Sequence, residues 1–104
     1  MDTLSRLEQV IAARQGADPS TSYVAKLFAK GIPEIARKVG EEGVEAAIAA
    51  TSHSDEELRG EAADLIFHLL VLLRARGLTL AEVLAELDRR EGVSGIDEKA
   101  ARKS

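Results

Sequence analysis

Glu41, Glu42 and Glu45 lie in the stretch KVGEEGVEAAIAA (38–50), and Glu61 and Asp64 in EAADLIFHLLVLL (61–73). Side chains three apart project from one side of a helix, so Glu42/Glu45 and Glu61/Asp64 form two acidic pairs. In an antiparallel hairpin the two pairs face each other. Clustered carboxylates repel, and some take up protons unless a cation compensates them. An all-oxygen ligand set suits a hard divalent cation, Mg²⁺ foremost, with Mn²⁺ as the alternative. The competing di-iron arrangement wants Glu-x-x-His on two helices. Here the third residue after Glu61 is Asp64, and the first stretch has no histidine.

The surroundings of these acids carry the argument, because a lone E-x-x-E is usually a solvated helix face. With Glu41 at zero on a helical wheel, Glu45 falls at about 40°, Lys38 at about 60° and Glu42 at about 100°. Ile48, Ala49 and Ile35 border that arc. On the second helix, Ala62 to Leu73 is apolar all round except for Asp64 and His68. A helix apolar all round is usually buried. Asp64 is therefore expected among leucines, with Glu61 at the rim of the same face. A plain acidic interaction module, the rival reading, would instead need an exposed acidic face.

The elements that hold these residues read as helices throughout. Leu4, Leu7, Val10 and Ile11 fall at helical spacing behind Thr3 as N-cap, and the loop after Gly16 ends that helix. Ser22 caps a short second helix that stops at Gly31-Ile32-Pro33. Pro33 suits the first turn of a third helix, expected to run to about Ala50. Ser54 with Glu57 forms a capping box for a fourth helix reaching Arg76 and Gly77. Thr79 with Glu82 repeats it for a fifth helix with an apolar stripe of Leu80, Val83, Leu84 and Leu87, ending near Gly92. Gly43, inside the third helix, is expected to permit close helix approach near the acids.

Composition agrees with this architecture. The 104 residues suit one domain, 1–104, and only Tyr23, Phe28 and Phe67 are aromatic, so Ala, Leu and Val fill the core. That favours an all-α bundle of about five helices, with a dimer expected because so short a chain has little core volume. The net charge of -4 disfavours non-specific binding to nucleic acid or anionic membranes. With no cysteine, disulfides and cysteine-ligated metals are excluded. The longest apolar run, Leu65–Leu73, is too short to span a bilayer, which takes about 20 residues. With no leader visible, a cytoplasmic protein is expected.

The pattern E-E-x-x-E, then E-x-x-D, resembles the signature of the all-α NTP pyrophosphatase (MazG-like) superfamily. Within it the chain most resembles the phosphoribosyl-ATP pyrophosphatase family, through SYVAKLFAKGIPEIARKVGEEGVEAAIAA (22–50), EAADLIFHLLVLLRARGL (61–78) and SGIDEKAARK (94–103). The acidic motif is common to many nucleotide hydrolases, whereas the flanks are more particular to this family. The resemblance implies a MazG-like fold and hydrolysis of the α–β phosphoanhydride of phosphoribosyl-ATP, in histidine biosynthesis, to phosphoribosyl-AMP and pyrophosphate. A housecleaning (d)NTP hydrolase of the same superfamily is the nearest alternative. The lack of cysteine points to the stand-alone form rather than a fusion with a zinc cyclohydrolase.

Residue by residue, the resemblance makes Glu42, Glu45, Glu61 and Asp64 metal ligands and Glu41 the catalytic residue that orients or deprotonates a water. A triphosphate also needs cations. Lys38 shares the acidic sector, although an i,i+4 salt bridge to Glu42 is its alternative. Lys30 approaches on a loop; Arg37, Lys99 and Arg102 are weaker candidates. His68 is either a satisfied core residue or a partner behind a carboxylate or the substrate. Tyr23 reads as packing or subunit contact.

Overall fold

The structure, a computed structural model, describes residues 1–91. They form α1 (Thr3–Arg14), α2 (Tyr23–Lys30), α3 (Ile32–Ser52), α4 (Asp55–Ala75) and α5 (Leu80–Arg90), with no strand among the described residues. The fold is all-α, as expected. The tail that carries Lys99, Arg102 and SGIDEKAARK lies outside the described residues.

Local chemistry explains the helix ends, with three departures from expectation. Asp2, not Thr3, caps α1, its carboxylate accepting the Ser5 N–H at 2.8 Å. Asp caps at least as well as Thr and stands one residue earlier, so Thr3 enters the first turn. Ser22 and Ser54 cap α2 and α4, accepting from the N–H groups of Ala25 and Glu57. The box at Ser54 is only half formed, because the Glu57 carboxylate turns to His53 Nδ1 at 3.1 Å. At Thr79 both halves are present. α3 runs to Ser52, past the expected Ala50. Gly31, at φ 93°, makes the left-handed break between α2 and α3 that a side chain would strain, and Pro33 follows in the first turn of α3.

α3 and α4 form an antiparallel hairpin, the most extensive helix pair of the structure; α1 packs on α4, and α2 lies across both. Ile11, Val24, Leu27, Ile35, Leu70 and Val71 make the core, and Leu7, Phe28, Phe67 and Leu80 pack against it. Each fully buried aliphatic chain contributes about 1.5–3 kcal/mol. The start of α5 is tied to the body by the Leu80 N–H, which donates to the Glu8 carboxylate at 2.7 Å.

α4 is not buried all round. Ile66 and Leu69 are 43% and 40% exposed, and on α3 Val44 and Ile48 are 61% and 47% exposed. α1 and α2 cover one side of the hairpin and leave these residues uncovered. On α5, Leu84 and Leu87 are exposed as well.

Candidate metal centre

Register along the hairpin decides which acids meet. Glu42 and Glu45 come from adjacent turns of α3, and Glu61 from the second turn of α4. One carboxylate oxygen of each lies within 4.8 Å of the other two. Glu42 is 9% exposed. Its Oε2 and the Oε2 of Glu61 are buried without a hydrogen-bond partner. Buried oxygens of this kind are costly unless something binds them.

Electrostatics agrees with the geometry. Burial, then the charge of Glu45, pushes the Glu42 carboxyl above its ordinary value, and Asp64 adds to this. The Glu61 carboxyl is raised to about 7, first by sharing a proton with Glu45, then by burial and by the charges of Glu45 and Glu42. So up to about pH 7 the trio keeps a proton that a separate glutamate, at 4.5, would have released. Removing that proton calls for positive charge, and the donors are all oxygen. The residues therefore fit a hard cation.

Two expected members stand apart. Asp64 is exposed rather than set among leucines and is outside the trio, though its charge reaches Glu42. Its flank of α4 is the one that buries His68 and Val71 one and two turns further on, and Asp64 is the exposed earlier end of that flank, toward the hairpin turn. Exposure of Asp64 and Glu45 also means that the buried acid separating a metal site from an interaction patch is Glu42, not Asp64. Glu41 faces elsewhere: its carboxylate pairs with Arg37 and lies 3.9 Å from Lys38 Nζ. Arg37 also grips Glu34, its Nε donating at 3.2 Å. The Lys38–Glu42 bridge is absent because Glu42 turns inward. Lys30, exposed at the end of α2, helps Arg37 hold the Glu34 carboxyl below its usual range. Gly43 has open space where a Cβ would stand, so close helix approach is not its reason here.

His68 is buried at 6% exposure. Its Nδ1 is 2.8 Å from the backbone oxygen of Asp64, and its Nε2 2.7 Å from the Tyr23 hydroxyl. A carbonyl only accepts, so Nδ1 donates, and Nε2 accepts from Tyr23. His68 thus touches the backbone of Asp64 rather than a carboxylate. Tyr23 is not legible as its partner from the sequence, because 45 residues separate the two. The only hint was a lone aromatic beside the Ser22 cap.

Residues 4–91 match the model of the phosphoribosyl-ATP pyrophosphohydrolase family. The chain belongs to this family. It is 70% identical over 102 residues to the phosphoribosyl-ATP pyrophosphatase of Erythrobacter litoralis (strain HTCC2594), covering 98% of both chains. It is 65% identical to the protein of that name from Rhizorhabdus wittichii, over 96% of this chain and 94% of the relative. The protein of that name from Novosphingobium aromaticivorans is 64% identical, over 97% and 94%. The family match spans all five helices and includes the acidic trio, Asp64, Glu41 and His68.

Proposed function

We propose that the chain hydrolyses the α–β phosphoanhydride of phosphoribosyl-ATP to phosphoribosyl-AMP and pyrophosphate, the second step of L-histidine biosynthesis, with Mg²⁺ as cofactor. The observation that carries this reading is membership of the phosphoribosyl-ATP pyrophosphohydrolase family over the helices that bear the trio. Glu42, Glu45 and Glu61 would hold the ion, and exposed Asp64 would join them as the outer ligand. When bound there, Mg²⁺ supplies charge neutralisation on the phosphates and Lewis acidity at the anhydride. Mn²⁺ meets the same oxygen preference.

The chain's own residues do the rest. Glu41, which in this structure pairs with Arg37 away from the trio, would turn toward it to accept a hydrogen bond from the attacking water and fix its direction. Lys38, only loosely tied to Glu41 at 3.9 Å, is free to meet a phosphate oxygen. Lys30 and Arg37 add positive potential on the same approach, and Lys99 and Arg102 of the tail are weaker contributors. His68 holds the backbone of Asp64 from behind. Without the cation the trio would repel a triphosphate, so the substrate needs the ion in place.

The uncovered stripe of Val44, Ile48, Ile66 and Leu69 supports a homodimer that buries it, since apolar patches of this kind mark association surfaces. We place the protein in the cytoplasm as a single domain over 1–104. Purified protein should release pyrophosphate from phosphoribosyl-ATP only with Mg²⁺ or Mn²⁺ present, and EDTA should stop it. A preference for ordinary dNTPs would move the reading to a housecleaning hydrolase. Light scattering should give twice the chain mass, and Ile66→Glu should shift it toward the single chain.

A further inference from the structure

A second region of the fold has the chemistry that the acidic trio lacks. A cavity of about 420 Å³ opens between the α1–α2 loop, α2 and the start of α3, walled by Gln15, Ala25, Phe28, Gly31, Ile35 and Ala75 among others. That is enough room for a small ligand. Its walls are mainly apolar, but its edge is basic. Gln15 Oε1 accepts the Arg74 Nε–H at 2.9 Å, which sets that guanidinium at the cavity's edge. The remaining N–H groups of Arg74 have no partner among the described residues. Arg14, Lys30 and Arg76 are next in the chain to the wall residues Gln15, Gly31 and Ala75. The one acid in the adjoining loop, Asp18, already accepts from the Ser20 N–H at 2.9 Å and the Ser20 hydroxyl at 2.8 Å. Glu34, next to the wall residue Ile35, pairs with Arg37 and feels Lys30, which leaves Arg74, Arg14 and Arg76 as a local surplus of cations in a chain of net charge -4.

The cavity also stands in a defined relation to the trio. At 1.5 Å per residue, Ile35 lies roughly 10 Å from Glu42 along α3, and Ala75 roughly 20 Å from Glu61 along α4. At 100° per residue, Ile35 is within about 20° of Glu42 and Ala75 within about 40° of Glu61, so both walls share the side of the hairpin that bears the acids, while Arg74, about 140° round from Glu61, meets the cavity through its bond to Gln15. A ligand that reached from one place to the other would need two widely spaced anionic ends. Phosphoribosyl-ATP has them: a triphosphate at one end, and beyond two sugars and a purine, a monophosphate. ATP has only the first.

We propose that this cavity is the subsite for the phosphoribosyl end of the substrate, with Arg74, steered by Gln15, taking the monophosphate and the apolar wall taking the sugar. The small side chains of Ala25 and Ala29 leave room for the ligand along the flank of α2. This assignment rests on the function proposed above and adds what selects phosphoribosyl-ATP over ATP.

The test compares pyrophosphate release from phosphoribosyl-ATP and from ATP, with Mg²⁺, by the wild-type protein and Arg74→Glu. A charged hydrogen bond to phosphate is worth enough that KM for phosphoribosyl-ATP should rise at least about tenfold, with kcat and the rate of release from ATP changing less than about twofold. An unchanged KM, or an equal loss on both substrates, overturns the subsite while leaving the proposed reaction intact. No release from phosphoribosyl-ATP by the wild-type protein removes the reaction itself, and the subsite with it. A measurement that needs no variant is a ¹H–¹⁵N titration of the wild-type protein with ribose 5-phosphate. The Gly16 and Gly31 amides should shift and saturate, and their silence at millimolar ligand overturns the assignment even if Arg74→Glu fails to fold.

Discussion

Glu61 on α4 and Glu86 on α5 are the same side chain in the same kind of element, yet their carboxyls titrate far apart. Glu86 is pulled down to about 2 by Arg89, then Arg90, three and four residues further along its own helix. Glu61 is pushed up to about 7 by Glu45, burial and Glu42. Its own neighbour three residues on is Asp64, another acid. The compensation for Glu86 is written into the helix that carries it. No cation of the chain is among the groups that shift Glu61, and the metal site proposed between α3 and α4 would supply one where α5 needs none.

The sharpest way to break this comparison is to remove the same charge from both places. Losing even the partners behind a metal ligand typically costs about 10- to 100-fold, so Glu61→Gln should lower kcat/KM by more than about a hundredfold. Glu86→Gln should leave it within about twofold, as surface changes away from a site usually do. Equal losses from the two variants would sink the contrast.

Next in size is the response of the metal-free protein to pH, and the two sites have opposite signs. The Glu61 carboxyl moves from an ordinary 4.5 up to about 7, so between these values the folded state binds more protons than the unfolded one. Its contribution to stability is therefore unfavourable once pH rises above 4.5, and fully so above about 7. Glu86, lowered to about 2, contributes stability that is present above 4.5 and lost as pH falls through about 2. The Tm of EDTA-treated protein should fall from pH 5 to pH 8, with Glu61→Gln flattening the slope. Added Mg²⁺ should restore Tm most at the alkaline end, because binding displaces the shared proton. A metal-free Tm that rises over this range would contradict the assignment.

The legibility of the molecule follows how local each signal is. Helix count and most ends were readable because caps work over three residues: Ser22, Ser54 and Thr79 all act where expected. Asp2 displaced Thr3 because two good caps stood side by side. The acidic pairs were readable from i,i+3 spacing, but the wheel cannot say which flank of a helix the rest of the fold covers. It therefore put Asp64 inside and left Glu41 with the other acids, whereas burial along that flank of α4 begins only at His68, and Glu41 pairs with Arg37. The Tyr23–His68 bond and the cavity at Gln15 join residues far apart in sequence, and no short-range pattern announces them.

Smaller effects sharpen a second contrast, between buried polar groups that are satisfied and those that are not. His68 has a partner on each ring nitrogen, whereas Glu42 has a buried oxygen with none. Tyr23→Phe should strand His68 Nε2 and cost about 1–3 kcal/mol in chemical denaturation. The metal-free Glu42→Gln variant should cost far less and could gain stability, since it removes a charge that burial and Glu45 already disfavour. A larger loss from Glu42→Gln than from Tyr23→Phe would mean that the trio stabilises the fold without its cation.

The smallest effect is at Gly43, between the two acids of α3. A Cβ built there meets nothing within 4 Å, and its backbone is helical. Glycine inside a helix costs roughly 0.5–1 kcal/mol relative to alanine. Gly43→Ala should therefore stabilise the single chain by about that amount in urea titration. The outcome divides two roles for this residue. A gain in stability with unchanged activity means that the glycine answers to nothing in the fold. A gain with lost activity means that the empty space beside Glu42 and Glu45 is occupied in the working enzyme, by substrate or by a second chain. Repeating the measurement on Ile66→Glu, where the association surface is broken, separates those two.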